Sequence, residues 1–191
     1  MKKLIPVGIS ARHIHLSQDH LEFLFGTDYE LTPMKELSQP NTFACEETVT
    51  IKSESGKEIN EVRIILPIED RTVVVIPRSD AIKYGFTAPM REVNELEDSG
   101  SAIIIGPVGE IKISEGVIIE KRHIHFSPQD AIDFGIENKQ IVSVKVGGER
   151  GGVMDNVICH VSSKYKLDFH IDVDDADAFG LNQGDLVELV K

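Results

Sequence analysis

Cysteine is scarce in this chain: of 191 residues, only Cys45 and Cys159 carry a thiol. Sequence alone cannot pair them, and no secretory apolar stretch opens the chain, so both are expected to stay reduced in a cytoplasmic protein. Long apolar runs are missing too. Residues 103–105 and 117–119 are among the longest, far short of the roughly 20 that a membrane helix needs, so no membrane role is expected. Positive charge is in deficit, with 20 Lys and Arg against 32 Asp and Glu, a net charge of -12 and a pI near 5.0. A general nucleic-acid binder needs a basic face, so nucleic acid is excluded as a partner, while a small anion held by a few converging basic groups is not. The glycine-rich residues 147–152 lack the Lys-Ser or Lys-Thr that follows a phosphate loop and read as a hairpin turn. No Ser-His-Asp arrangement is identifiable by spacing, and neither cysteine lies in a nucleophile motif.

What the chain does have is a repeat. The string Arg-His-Ile-His-x-Ser occurs at residues 12–17 and again at residues 122–127. Alternate side chains of a strand share a face, so His13 and His15 point one way together, as do His123 and His125. Two such imidazoles can hold one zinc ion, and a third ligand with one position left open makes a catalytic site. β-Branched segments recur at residues 48–51, 62–66, 72–76, 102–105, 141–146, 157–161 and 167–173, with turn pairs such as Ser55-Gly56 and Gly106-Pro107 between them. The fold reads as mainly β with short helices, two of which begin near Gln18 and Pro128 behind Ser17 and Ser127 as N-caps.

A second likeness ends each half. Residues 78–86 and 173–181 share an Asp-Ala, aromatic-Gly-apolar skeleton. Anchoring Asp80 on Asp175 sets Val75 against His170. The second half then gathers three imidazoles, His123, His125 and His170, whereas the first offers His13, His15 and an apolar Val75. If the paired motifs face each other across the halves, two metals would lie close together in a cleft. The acidic residues 172–177 are expected to cap a helix, with Asp172 and Asp174 also placed to orient imidazoles. His20 and His160 are expected to have no metal role.

These strings resemble the PduL-type phosphotransacylases, the phosphate propanoyltransferases, nearly end to end. The likeness is carried by residues 7–17 (Val-Gly-Ile-Ser-Ala-Arg-His-Ile-His-Leu-Ser), 31–40 (Leu-Thr-Pro-Met-Lys-Glu-Leu-Ser-Gln-Pro), 45–49 (Cys-Glu-Glu-Thr-Val), 122–128 (Arg-His-Ile-His-Phe-Ser-Pro) and 146–151 (Val-Gly-Gly-Glu-Arg-Gly). The resemblance implies two β-barrel domains related by an internal duplication and capped by short α-helices. It assigns residues 12–120, with a loop covering the active site, to the first barrel, and residues 1–11 with 121–191 to the second. A homodimer is implied as well.

The implied activity is zinc-dependent transfer of a short acyl group between coenzyme A and phosphate, acyl-CoA plus phosphate giving acyl phosphate plus CoA. By resemblance one zinc takes His123, His125 and His170, and the other takes His13 and His15 with a glutamate that is Val75 here. The family's phosphate-holding arginine is Glu69 here. Coenzyme A contacts map to Ser10, Lys35 and Arg63, the covering loop to Gln39, and the family's asparagine near the chain end to Asp177. Loss of one positioned charge stabiliser costs about two to three orders of magnitude in rate, so impaired activity is expected. Arg71, two residues beyond Glu69 and on the same face if that segment is a strand, is the candidate to hold phosphate, with a surface ion pair as the competing role. Cys45 and Glu47 are candidates for the missing ligand. Two alternatives follow from the departures: a non-catalytic binder of CoA or acyl-CoA, and a zinc hydrolase of thioesters. The chain starts within a few residues of its first strand, without the amphipathic helix that sends some relatives into microcompartments, so a free cytoplasmic protein is expected.

Overall fold

The computed structural model describes residues 3–190. The chain opens with β1 (Leu4–Ser10) and β2 (His13–His15), then α1 (Gln18–Phe25), β3 (Pro33–Glu36), β4 (Phe43–Lys52), β5 (Glu58–Leu66) and β6 (Val73–Val75). Next come α2 (Arg78–Tyr84), β7 (Met90–Arg91), β8 (Gly100–Ile105) and β9 (Glu110–Glu120). The remainder is β10 (His123–Phe126), α3 (Pro128–Phe134), β11 (Ile141–Val146), β12 (Gly152–Val161), β13 (Asp168–Asp172), α4 (Val173–Phe179) and β14 (Leu186–Val190). No helix among the described residues is long and apolar enough to cross a membrane.

Two compact units result. The first barrel holds Ala11–Leu37 and Asn41–Glu120; the second holds the residues up to Ser10, Ser38–Pro40 and the residues from Lys121 on. Each is a closed ring of six strands. In the second barrel the order is β1-β13-β10-β12-β11-β14. In the first it is β9-β6-β2-β5-β4-β8, with β3 and β7 outside the ring. The rings match strand for strand. The His-x-His strand lies parallel to β5 or β12 and antiparallel to β6 or β13. The closing strand, β9 or β1, lies parallel to β6 or β13 and antiparallel to β8 or β14. Each closing strand is the segment just before the other barrel's His-x-His strand in sequence.

The His-Ile-His motif is read out directly by the pleat. Ile14 and Ile124 are fully buried in their barrel cores, which turns both flanking imidazoles to the opposite face. Full burial of an isoleucine is worth roughly 1.5–3 kcal/mol, so each motif is pinned in register by its middle residue. Around Ile14 pack Leu16, Leu24, Ile51, Ile64 and Ile104; around Ile124 pack Val7, Phe126, Val144, Val157 and Phe169.

The repeated arginine and aspartate also meet. Arg12 Nε and Nη2 donate to Asp80 at 2.6 and 3.3 Å, and Arg122 Nε and Nη2 donate to Asp175 at 2.6 Å each. Both clasps tie the residue before a His-x-His strand to the first turn of the helix after β6 or β13. The aromatic-Gly step of the skeleton is the end of that helix: Gly85 and Gly180 are left-handed at φ 72° and 64°, and Phe86 and Leu181 N–H bond back to Ala81 and Ala176.

The two caps differ. Ser127 forms a capping box with Asp130, whereas Ser17 occupies the N-cap position without a side-chain cap. The residue three on from Ser17 is His20, not an acid, and Thr72 Oγ1 instead accepts from Ser17 N–H at 3.0 Å. Because the Arg122–Asp175 clasp is two-pronged and its side chains are only 33% and 21% exposed, Asp175→Ala should lower stability by about 1–2 kcal/mol. Urea unfolding of Arg122→Ala, Asp175→Ala and the double variant checks this: the two losses should be far from additive.

Candidate functional site

In the second barrel, β10 runs antiparallel to β13 with His123 opposite His170 and His125 opposite Asp168. It runs parallel to β12 with His125 opposite His160. This register brings together the three imidazoles set by the sequence repeat. Their ring centroids stand 4.8, 4.9 and 4.6 Å apart, and one nitrogen of each lies within 4.8 Å of the others. His123 Nδ1 donates to the Lys121 carbonyl at 2.9 Å, which fixes the tautomer and leaves Nε2 with the lone pair. Tyr165 stacks on His125 at 3.9 Å, holding that ring flat.

Burial, followed by the charges of His123 and His160, holds the pKa of His125 down to about 3. The ring is therefore neutral at pH 7, and its buried Nδ1 has no hydrogen-bond partner. Three converging imidazoles, one with an orphaned buried nitrogen, fit a divalent metal of borderline softness. Three nitrogen donors also leave a coordination position for a reacting group.

The first barrel repeats the frame without the third ligand. His13 Nδ1 donates to Ala11 O at 2.8 Å, as His123 does to Lys121, and the His13 and His15 rings lie 5.3 Å apart. Opposite them on β6 stand Val75 and Val73, each 4% exposed. Among the described residues, the His123, His125, His170 group is the one cluster of three or more side chains set for a metal. Neither candidate substitute reaches the role. Cys45 is fully buried, and burial followed by the charge of Glu47 pushes its thiol up to about 11. Glu47 accepts from Thr32 N–H at 3.0 Å through both oxygens and from Tyr29 OH at 3.1 Å.

The other sequence candidates are distributed over both units. Arg63 lies beside His13 on β5 and donates to the carbonyls of Cys45 and Glu46 at 3.0 and 2.7 Å. Lys35 is exposed on β3. Ser10 closes β1, opposite Asp172. Gln39 is 8% exposed and exchanges two hydrogen bonds with the backbone of Lys166 at 3.0 and 3.1 Å. Asp172 is an N-cap, accepting from Asp175 N–H. Arg71 and Glu69 do not share a strand face, because both lie in the connection between β5 and β6. Arg71 pairs with Glu115 at 3.2 Å in an exposed position.

Two neighbours of the trio were not anticipated. His160, set aside from sequence, has its ring 5.4 Å from His123 and 6.0 Å from His125. Asp168 is 3% exposed; burial pushes its carboxyl up, against hydrogen bonds from Ser38 and Gln39. Period-two alternation from His170 was the available signal for Asp168, whereas the parallel pairing that places His160 leaves no trace in local sequence.

Metal-free protein carries a pH signature. Burial, then the charge of His13, also lowers the pKa of His15 to about 3. As pH falls through about 6.5 the unfolded chain takes up protons at His15 and His125 that the folded chain refuses until about pH 3. Their contribution to stability is complete above about pH 6.5 and is lost on acidification, at up to about 1.4 kcal/mol per pH unit for each ring. Chelator-treated protein unfolded in urea at pH 7, 5.5 and 4.5 should weaken accordingly, and His125→Asn should flatten that slope.

Comparison with known proteins gives a consistent result. The family model described as phosphate propanoyltransferase matches residues 6–182. A phosphate propanoyltransferase of Thermotoga maritima is 47% identical over 188 residues, covering 98% of this chain and 89% of the relative. Those of Lachnoclostridium phytofermentans and Rhodobacter capsulatus are 45% and 40% identical, covering 97% and 98% of this chain and 87% of each relative. With the match running through both barrels and both His-x-His strands, the chain belongs to the phosphate propanoyltransferase family.

Proposed function

We propose that the protein is a phosphate acyltransferase that interconverts short-chain acyl-CoA plus phosphate with acyl phosphate plus CoA, using zinc at His123, His125 and His170. The observation that carries this reading is the register of β10 on β13, which converges three imidazoles in a chain of this family. In the forward direction a phosphate oxygen forms a bond to the acyl carbon, the carbon–sulfur bond breaks, and CoA leaves as the thiolate. A zinc ion in this site supplies a Lewis acid for the oxygen on which charge develops. His123 is held in the binding tautomer by Lys121 O, and His125 is kept unprotonated by burial. Lys35 and Arg63 supply positive charge for the phosphates of coenzyme A, with Ser10 and Gln39 as further substrate contacts. A homodimer in the cytoplasm completes the reading.

The first-barrel pair, His13 and His15, is assigned a second, weaker zinc. Val75 opposite His13 and a carboxylate at Glu69 both oppose full activity. They favour, as the second reading, a protein that retains binding of CoA or acyl-CoA but not the transfer. Arg71 serves phosphate only by leaving Glu115; Arg71→Ala with an unchanged KM for phosphate removes that role. The deciding experiment measures metal per chain, on protein purified without chelator, together with phosphate-dependent consumption of acyl-CoA. Turnover that falls at least about 100-fold in His170→Ala supports the transferase. Bound metal with no turnover at saturating phosphate supports the binder, and free acid released without phosphate supports a thioester hydrolase.

A further inference from the structure

Asp168 opens β13 almost completely buried, yet its Oδ2 has no hydrogen-bond partner. A bare buried carboxylate oxygen costs more than an unmade neutral hydrogen bond, so it marks the place of an absent partner. The group is otherwise anchored: the side chains of Ser38 and Gln39 hydrogen bond to it. Alternation places Asp168 on the same strand face as His170, and cross-strand pairing sets it opposite His125.

Three further facts aim Oδ2 at the trio. It lies 3.4 Å from His170 Nε2. Two donors about 2.0–2.1 Å from one tetrahedral metal are about 3.3–3.4 Å apart, so this is the spacing of ligands that share an ion. Gly8, opposite His170 on β1, leaves room for the carboxylate, since a Cβ there would sit 2.7 Å from Oδ2. The third fact is the internal comparison. In the first barrel the positions of Asp168 and His170 are Val73 and Val75, so the acid and the third histidine are present together and absent together.

We infer that Asp168 gives Oδ2 to the metal held by His123, His125 and His170, making the donor set three nitrogens and one oxygen. The inference rests on the proposed occupation of that trio by a metal. An ion so held carries an anionic donor, binds more tightly, and must expand its coordination or release the carboxylate to engage substrate. The rival role is a carboxylate outside the metal shell that only orients His170, which also costs about 10–100-fold in metal affinity when removed.

Affinity alone therefore does not separate the two, but the spectrum of the bound metal does. Wild type, Asp168→Ala and the isosteric Asp168→Asn are loaded with cobalt(II), and their visible bands are recorded from pH 6 to 9. If Asp168 is a ligand, Asp168→Ala should shift the bands and gain a titration near neutral pH from the water that takes its place. Identical bands and pH profiles in wild type and Asp168→Ala overturn the inference whatever the affinity. Where the variants fail to fold, a zinc-loaded crystal of wild type decides: a metal to Oδ2 distance of about 2.0–2.2 Å supports it, and one beyond about 3 Å overturns it. Wild type that takes up neither metal would overturn the occupancy reading itself, which is separable from failure of the Asp168 assignment alone.

Discussion

A strand presents two imidazoles on one face, but not three that converge, because the next residue on that face is one pleat further along. The site of the second barrel therefore depends on one pairing, the antiparallel register of β10 on β13. That register is held from below by Ile124 and Phe169 in the core, and from the side by the clasp of Arg122 on Asp175. A slip of one residue would turn His123 and His125 into the barrel and Ile124 out of it. The chemistry is thus set by hydrophobic burial several ångströms from any ring nitrogen.

The first barrel is the internal control for that statement. It has the same ring order, the same arginine clasp and the same carbonyl fixing His13, but β6 meets the motif with valines. The frame and the ligands are separable: duplication preserved the strand pairing, while the residues facing the histidines diverged. A buried valine opposite an imidazole fills the space of a third donor with methyl groups, which stabilise the barrel and bind no ion.

Much of this was legible in the chain itself. The hexapeptide repeat gave both histidine pairs, and anchoring Asp80 on Asp175 gave the equivalence of Val75 and His170, which the strand registers match residue for residue. Both motif-linked helices begin where expected, at Gln18 and Pro128, although only Ser127 caps its helix through the side chain. The resemblance supplied the two barrels and the place of β1. What escaped were features that need three dimensions. The strand β9, the longest in the chain, is broken in sequence by Ser114, Glu115 and Gly116 and showed only its apolar end. The placement of Arg71 assumed a strand where the chain makes a loop, and His160 reaches the trio through a parallel pairing across an intervening helix and hairpin.

The exchange of closing strands has a consequence for synthesis. The first barrel cannot close until β9 has emerged, about as late as the start of the second histidine motif, and the second barrel is sealed by β1, made well before its other strands. From its own synthesis until β13 and β14 appear, β1 is an apolar segment whose partners do not yet exist. Ile5 and Val7, fully buried at the end, are exposed at the start. The first barrel completes itself within one stretch of chain, Ala11–Leu37 and Asn41–Glu120, whereas the second must join β1 to strands made more than a hundred residues later, so β1 is the segment that stays without its partners through most of synthesis.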